Sequence, residues 1–146
     1  MSGGTVLGFD FGTRRIGVAV GQTVTGTARP LVTLTRRDAQ PDWEAIGRLI
    51  EQWQPQTLVV GLPVHMDGGT HELAPAVTAF AAGLRARHAL PVELIDERLS
   101  SHAAQERAAA AGGRSRPGDR AAKEQLDRIA AQVILEAWLA QQALSP

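Results

Sequence analysis

Apolar residues alternate or run together over 5–11 and again over 15–22, on either side of Gly12-Thr13-Arg14. That pattern predicts a β-hairpin in which Gly12 supplies the turn conformation. A third strand is expected over 27–35. Pro41 then marks a helix start with Asp42 and Glu44 in its first turn, and Trp43, Ile46, Leu49, Ile50 and Trp53 form an apolar stripe at helical spacing that ends near Pro55. The unbroken run Thr57-Leu58-Val59-Val60-Gly61-Leu62 reads as a strand covered on both faces, and it is placed at the centre of the sheet. After a loop over 63–70 come a helix to about Ala89, a fifth strand over 91–96, and an alanine-rich helix capped by Ser100 or Ser101 that runs to about Gly112. Residues 112–118, GGRSRPG, form a basic loop full of helix breakers, and a last helix covers about 120–143. The order βββαβαβαα predicts an α/β fold: a mixed five-stranded sheet, an antiparallel meander plus parallel strands, covered by helices. Ligands are expected at the carboxyl ends of its parallel strands.

The 146 residues, 44% hydrophobic and 21% charged, suffice to bury one core, and no repeat or linker divides them, so a single domain over 1–146 is expected. The absence of cysteine excludes disulfide frameworks and thiolate metal sites. Met1-Ser2-Gly3-Gly4 lacks the basic start of a secretory signal, and no apolar run approaches the length of a membrane span, so the expected location is the cytoplasm, away from membranes. The 15 basic residues balance 15 acidic ones, so contact with nucleic acid has to be local. Lys123 is the single lysine, and the arginines that make up the rest offer planar forks for phosphate.

Against that background one residue is out of place. Asp10 sits inside the strand-like run Val6-Leu7-Gly8-Phe9-Asp10-Phe11, where a carboxylate costs free energy unless something pairs with it. Two further acids stand out by position. Glu97 directly follows the fifth strand. Asp127 lies on the last helix in line with Ala130, Ala131, Ile134 and Trp138, which turns it toward the packed face. Each has a plain structural alternative. Asp10 could accept hydrogen bonds at its own turn, Glu97 could pair with Arg98 or belong to a solvated helix start, and Asp127 could pair with Lys123 or Arg128. Together they favour a site, because a hard divalent cation takes carboxylate oxygens converging from different elements.

The remaining candidates are weaker. His65, His71, His88 and His102 show no metal-ligand spacing. Asp67, followed by Gly68, reads as a turn residue before a substrate contact, and Glu124 as an exposed helical acid before an outer ligand. Trp43, Trp53 and Trp138 fall on apolar stripes and are assigned to the core.

The segments GFDFGTRRIGVAV, VVGLPVHMDG, IDERLSS and KEQLDRIAAQVIL resemble, in order and over nearly the whole chain, the motifs of the YqgF-type family. That family comprises Holliday junction resolvases also described as nucleases maturing the precursor of small-subunit (16S) ribosomal RNA. The first motif alone would be weak, since sugar-kinase and actin-like ATPases carry a similar Asp-x-Gly-Thr hairpin. The resemblance implies a ribonuclease H-like fold, with the first-strand acid at the middle of the sheet, and it carries the family's acidic residues onto Asp10, Glu97 and Asp127. Two departures are visible. Where better-known resolvases place an acid at the end of the fourth strand this chain has VVGLP, so the second carboxylate has to come from Glu97, and Arg128 stands where a small residue is common.

The implied activity is metal-dependent hydrolysis of phosphodiester bonds in nucleic acid, with two Mg²⁺ or Mn²⁺ ions as cofactors held by Asp10, Glu97 and Asp127. Lys123 would steer the scissile phosphate, and Arg14, Arg15, Arg98, Arg114, Arg116 and Arg120 are candidate backbone contacts. The partner would be an RNA precursor or branched DNA. A junction resolvase making two symmetric cuts is expected to act as a homodimer, whereas an RNA-trimming enzyme can work as a monomer. Two rivals are weighed: a non-catalytic nucleic-acid-binding domain of the same fold, which would be marked by missing carboxylates, and an ATPase of the actin or sugar-kinase type, which needs two lobes where this length supplies one.

Overall fold

The computed structural model describes residues 4–12, 14–36, 40–62, 74–96 and 120–144. Three antiparallel strands come first: β1 (Thr5–Phe11), β2 (Arg15–Gln22) and β3 (Thr27–Thr35). Helix α1 (Trp43–Trp53), strand β4 (Thr57–Leu62), helix α2 (Ala74–His88), strand β5 (Val92–Asp96) and helix α3 (Arg120–Leu144) follow. The alanine-rich helix expected after Ser100 and the basic loop over 112–118 lie outside the described residues. Among the described residues no helix is long and apolar enough to cross a membrane.

The β1–β2 hairpin follows the alternation, pairing Asp10 with Gly17 and Phe11 with Ile16. The role of Gly12 differs from the expectation. Its backbone is not left-handed; instead its N–H donates to the Arg15 carbonyl at 2.9 Å, and a Cβ at Gly12 would stand 2.8 Å from that oxygen. Close approach, not positive φ, selects glycine there. Helix α1 also starts one step later than Pro41 suggested. Asp42 is the N-cap, its carboxylate accepting from the Ala45 N–H at 3.0 Å, and the helix ends where Gln54 adopts a left-handed conformation (φ 49°) ahead of Pro55.

The sheet order is β3-β2-β1-β4-β5, with β4 parallel to both β1 and β5. The centre is therefore β1, and the expectation that β4 holds it is corrected. A continuous apolar run reports that helices cover both faces of a strand, which is true of β4, and says nothing about its rank in the sheet.

Strand alternation sends two sets of side chains to opposite faces. Leu7, Phe9, Phe11, Ile16, Val18, Leu58 and Val60 pack beneath α1 and α2, against Ile46, Val77, Phe80 and Leu84. Phe80 is the hub of that side: its ring centroid lies 4.9 Å from Phe11, 5.5 Å from Trp43 and 5.7 Å from Phe9. Val6, Ala19, Val59 and Ile95 face the other way, beneath Ala131, Ile134, Leu135, Trp138 and Leu139 of α3. The Trp138 indole donates to Glu93 Oε1 at 3.0 Å, which satisfies its N–H within that layer.

Candidate active site

Asp10 lies on the α3 face of the central strand, two residues beyond Gly8 and half-buried between the buried Phe9 and Phe11. The chain reaches this arrangement by leaving side chains out. A Cβ at Gly8 would stand 3.0 Å from Leu135 Cβ, and a Cβ at Gly17 would overlap the Asp127 carbonyl. With hydrogens in those places, the N-terminal half of α3 settles directly onto the hairpin. Gly17 is the register partner of Asp10, so Asp10 and Asp127 come to the same face and the same end of the sheet, joined through Gly17.

Asp127 extends the packed stripe of Ala131, Ile134, Leu135 and Trp138 as the pattern predicts, while Ala130 falls to one side in a small cluster with Leu126, Ile129 and Val133. Its partner is neither Lys123 nor Arg128. Arg15, 112 residues away at the start of β2, donates from Nε to Asp127 Oδ2 at 2.5 Å, with side-chain exposures of 23% and 20%. Burial raises the Asp127 pKa above its usual carboxyl value, and the nearby Glu124 adds to this. The Arg15 hydrogen bond and charge, with a smaller part from Arg128, only partly oppose them.

A rim of positive charge borders this corner. Gly12, Arg14, Arg15, Lys123 and Asp127 line a cleft of about 460 Å³, and an adjoining one brings Thr35, Arg36 and Arg120 beside Arg14, Arg15 and Lys123. Arg14 and Lys123 are exposed. Arg36 escaped the sequence reading. It donates from Nη1 to the Gly12 carbonyl at 2.8 Å, its guanidinium lies 4.4 Å from the Phe11 ring centroid, and its N–H donates to the Arg14 carbonyl. The signal that could have found it is the hairpin register, which carries the residue after β3 to the β1–β2 turn.

Glu124 is occupied: its carboxylate accepts from Arg120 Nε at 2.9 Å and its backbone carbonyl from Thr33 Oγ1 at 2.7 Å. His88 is half-buried in the α1–α2 layer, its pKa lowered by burial and by Arg87. Trp138 is core as expected, whereas Trp43 and Trp53 are partly exposed beneath arginines, Arg87 at 4.2 Å and Arg29 at 5.4 Å from the ring centroids. Glu97, Arg98, Arg114, Arg116, Asp67, His65, His71 and His102 lie outside the described residues. Among the described residues no three acids or histidines cluster as a complete metal cage. Asp10 and Asp127 nonetheless suit a hard cation, as carboxylate donors on one face with no imidazole beside them among the described residues and no cysteine in the chain.

Residues 4–141 match the model of the RuvX family, described as Holliday junction resolvase. The chain belongs to this family. A relative from Glaesserella parasuis is 48% identical over 139 residues, spanning 95% of this chain and 98% of the relative, and bears the name "Putative pre-16S rRNA nuclease". A relative from Sodalis glossinidius, also 48% identical over 139 residues and covering 94% and 95% of the two chains, bears the same name. Among solved structures, RuvC of T. thermophilus in complex with a Holliday junction substrate superposes with a TM-score of 0.54 at 18% identity, over 97% of each chain. The Fowlpox virus resolvase with Holliday junction DNA gives 0.55 at 12% identity, over 97% and 99%. The fold is thus that of the ribonuclease H-like resolvases, as the motif order implied.

Proposed function

We propose that this member of the RuvX family is a metal-dependent nuclease that hydrolyses phosphodiester bonds, with Asp10, Glu97 and Asp127 as its metal ligands. The observation that supports the reading is that Asp10 and Asp127 meet the same face and end of the sheet through Gly17, with Asp127 lining a cleft walled by Arg14, Arg15 and Lys123. Two Mg²⁺ or Mn²⁺ ions would supply an activated water and neutralise charge on the phosphorus and on the leaving oxygen. The chain's own part is to hold them and place the substrate. Asp10, on the central strand, and Asp127, on α3, are tied together because α3 rests on Gly17 of β2, the register partner of Asp10. Lys123, one turn before Asp127, and Arg14 draw in the phosphodiester backbone, and Arg98, Arg114 and Arg116 are further candidate backbone contacts.

Maturation of pre-16S rRNA is the substrate reading that the names of the relatives support, and branched DNA is the one that the resolvase folds support. A homodimer belongs to the second reading, since two symmetric cuts need a twofold assembly. The cytoplasm suits both. The alternative, a nucleic-acid-binding domain without catalysis, is disfavoured because all three acids are retained.

The test is cleavage of labelled four-way junction, flap, single-strand and precursor-rRNA substrates in Mn²⁺, with molecular mass measured alongside. Asp10→Asn, Glu97→Gln and Asp127→Asn should each abolish cleavage while circular dichroism stays unchanged. Cleavage by Asp10→Asn within about tenfold of wild type would overturn the assignment.

A further inference from the structure

We propose that Arg15 is an exchangeable counter-ion: it holds Asp127 until a divalent cation displaces it, and the released guanidinium then takes a phosphate of the nucleic acid. This rests on the metal-dependent reading above and adds a residue that couples the two ligands.

The sequence reading assigned Arg15 to phosphate alone, yet its Nε is committed to Asp127 Oδ2. A half-buried carboxylate is stabilised by a neighbouring positive charge, and Arg15 supplies it. The grip is weaker than an arginine can make. Only Nε is engaged, so the pair is held by one hydrogen bond and not by the two parallel bonds of a fork. The terminal nitrogens have no partner among the described residues, and Asp127 Oδ1 has none either. Arg15 lines both clefts, so its release needs rotation of a side chain already at the cleft wall and no backbone movement. A divalent ion brings twice the charge to the same oxygen and can also use the oxygens of Asp10, so it wins the exchange. Two lysine or arginine side chains remain to be compared for this role. Lys123 is exposed and needs no partner, and Arg128 points its Nη1 toward Thr33 Oγ1 at 3.4 Å, which leaves Arg15 as the group that must choose between Asp127 and substrate.

Coupling of this kind is reciprocal: metal should tighten nucleic-acid binding by the factor by which nucleic acid tightens metal. The experiment uses the full chain without nucleic acid. Mn²⁺ is titrated calorimetrically into wild type, Arg15→Met and Asp127→Asn. In parallel, the arginine Nε–H signals of wild type are followed by NMR during a Mg²⁺ titration. Arg15→Met should bind Mn²⁺ roughly tenfold more tightly than wild type, because a competing charge is gone. The Arg15 Nε–H, protected from exchange at first, should exchange with water once Mg²⁺ is added. The NMR arm needs no substitution, so it decides the matter even if Arg15→Met fails to fold. If Asp127→Asn abolishes Mn²⁺ binding but Arg15→Met binds no more tightly and the Nε–H stays protected, Arg15 is a fixed structural partner and the proposal falls while the nuclease reading stands. If Asp127→Asn binds Mn²⁺ as wild type does, the metal site is elsewhere and both fall.

Discussion

On the side of the sheet covered by α1 and α2, strands β1 and β2 present Leu7, Phe9, Phe11, Ile16 and Val18; on the side covered by α3 the same strands present Val6, Gly8, Asp10, Gly17 and Ala19. One layer is filled by large side chains that hold the helices off the strands. The other is emptied, so that a helix can approach until its backbone touches the sheet. The first layer carries the larger aromatic packing and the second carries the proposed metal ligands Asp10 and Asp127, although the residues of each alternate along a single stretch of chain. Bulk would be harmful beneath α3, because every added carbon lifts Asp127 away from Asp10.

The comparison is tested most strongly by damaging each layer once. Phe80→Ala should cost about 3–5 kcal/mol through the cavity it leaves among Phe9, Phe11 and Trp43, read from urea unfolding. Gly17→Ala should cost about 3 kcal/mol by overpacking against the Asp127 carbonyl. The two should then part company. At low temperature, where both are folded, Phe80→Ala should bind Mn²⁺ like wild type and Gly17→Ala should not. Retained binding in Gly17→Ala would show that the close approach of α3 is dispensable.

A smaller effect concerns charge in the emptied layer. Burial raises the Asp127 pKa above 3.8, so the fold favours the protonated acid. Its contribution to stability is complete below the ordinary carboxyl value and is lost as pH rises through the raised one. The stability of wild type relative to Asp127→Asn should therefore fall as pH rises from below the ordinary carboxyl value through the raised one. A rise over that range would mean that the Arg15 bond outweighs desolvation.

Two lesser changes sharpen the contrast further. Arg36→Met, which removes the bond to the Gly12 carbonyl and the contact with Phe11, should cost about 1 kcal/mol in urea melts and weaken nucleic-acid binding, since it loosens the turn that carries Arg14 and Arg15. Arg48→Ala breaks only the exposed pair with Glu44 on α1 and should shift stability by about 0.3 kcal/mol.

What could be read from the sequence follows from the range of each interaction. The hairpin, the strand over 57–62 and the last helix were legible because alternation and helical stripes are local, and Asp10 because a carboxylate among apolar neighbours is anomalous wherever it occurs. The position of β4 was misjudged because burial on two faces is shared by every interior strand. Gly12 was misattributed because close approach and positive φ select the same residue. The Arg15–Asp127 pair was out of reach: nothing local reports where a helix 112 residues away will cross the hairpin. Arg128 and Lys123, nearer in sequence, were the partners that local reasoning offered.

The same separation sets the order in which the molecule comes alive. During synthesis the sheet and its α1–α2 layer emerge from the ribosome first, with Val6, Ala19, Val59 and Ile95 without their α3 partners until that helix is made. A chain broken off before residue 120 has lost the proposed ligand Asp127 together with the helix that covers that layer, so it exposes apolar surface of the kind that proteases and chaperones act on. On the proposed assignment, the last metal ligand arrives with the same helix that covers the second layer of the core.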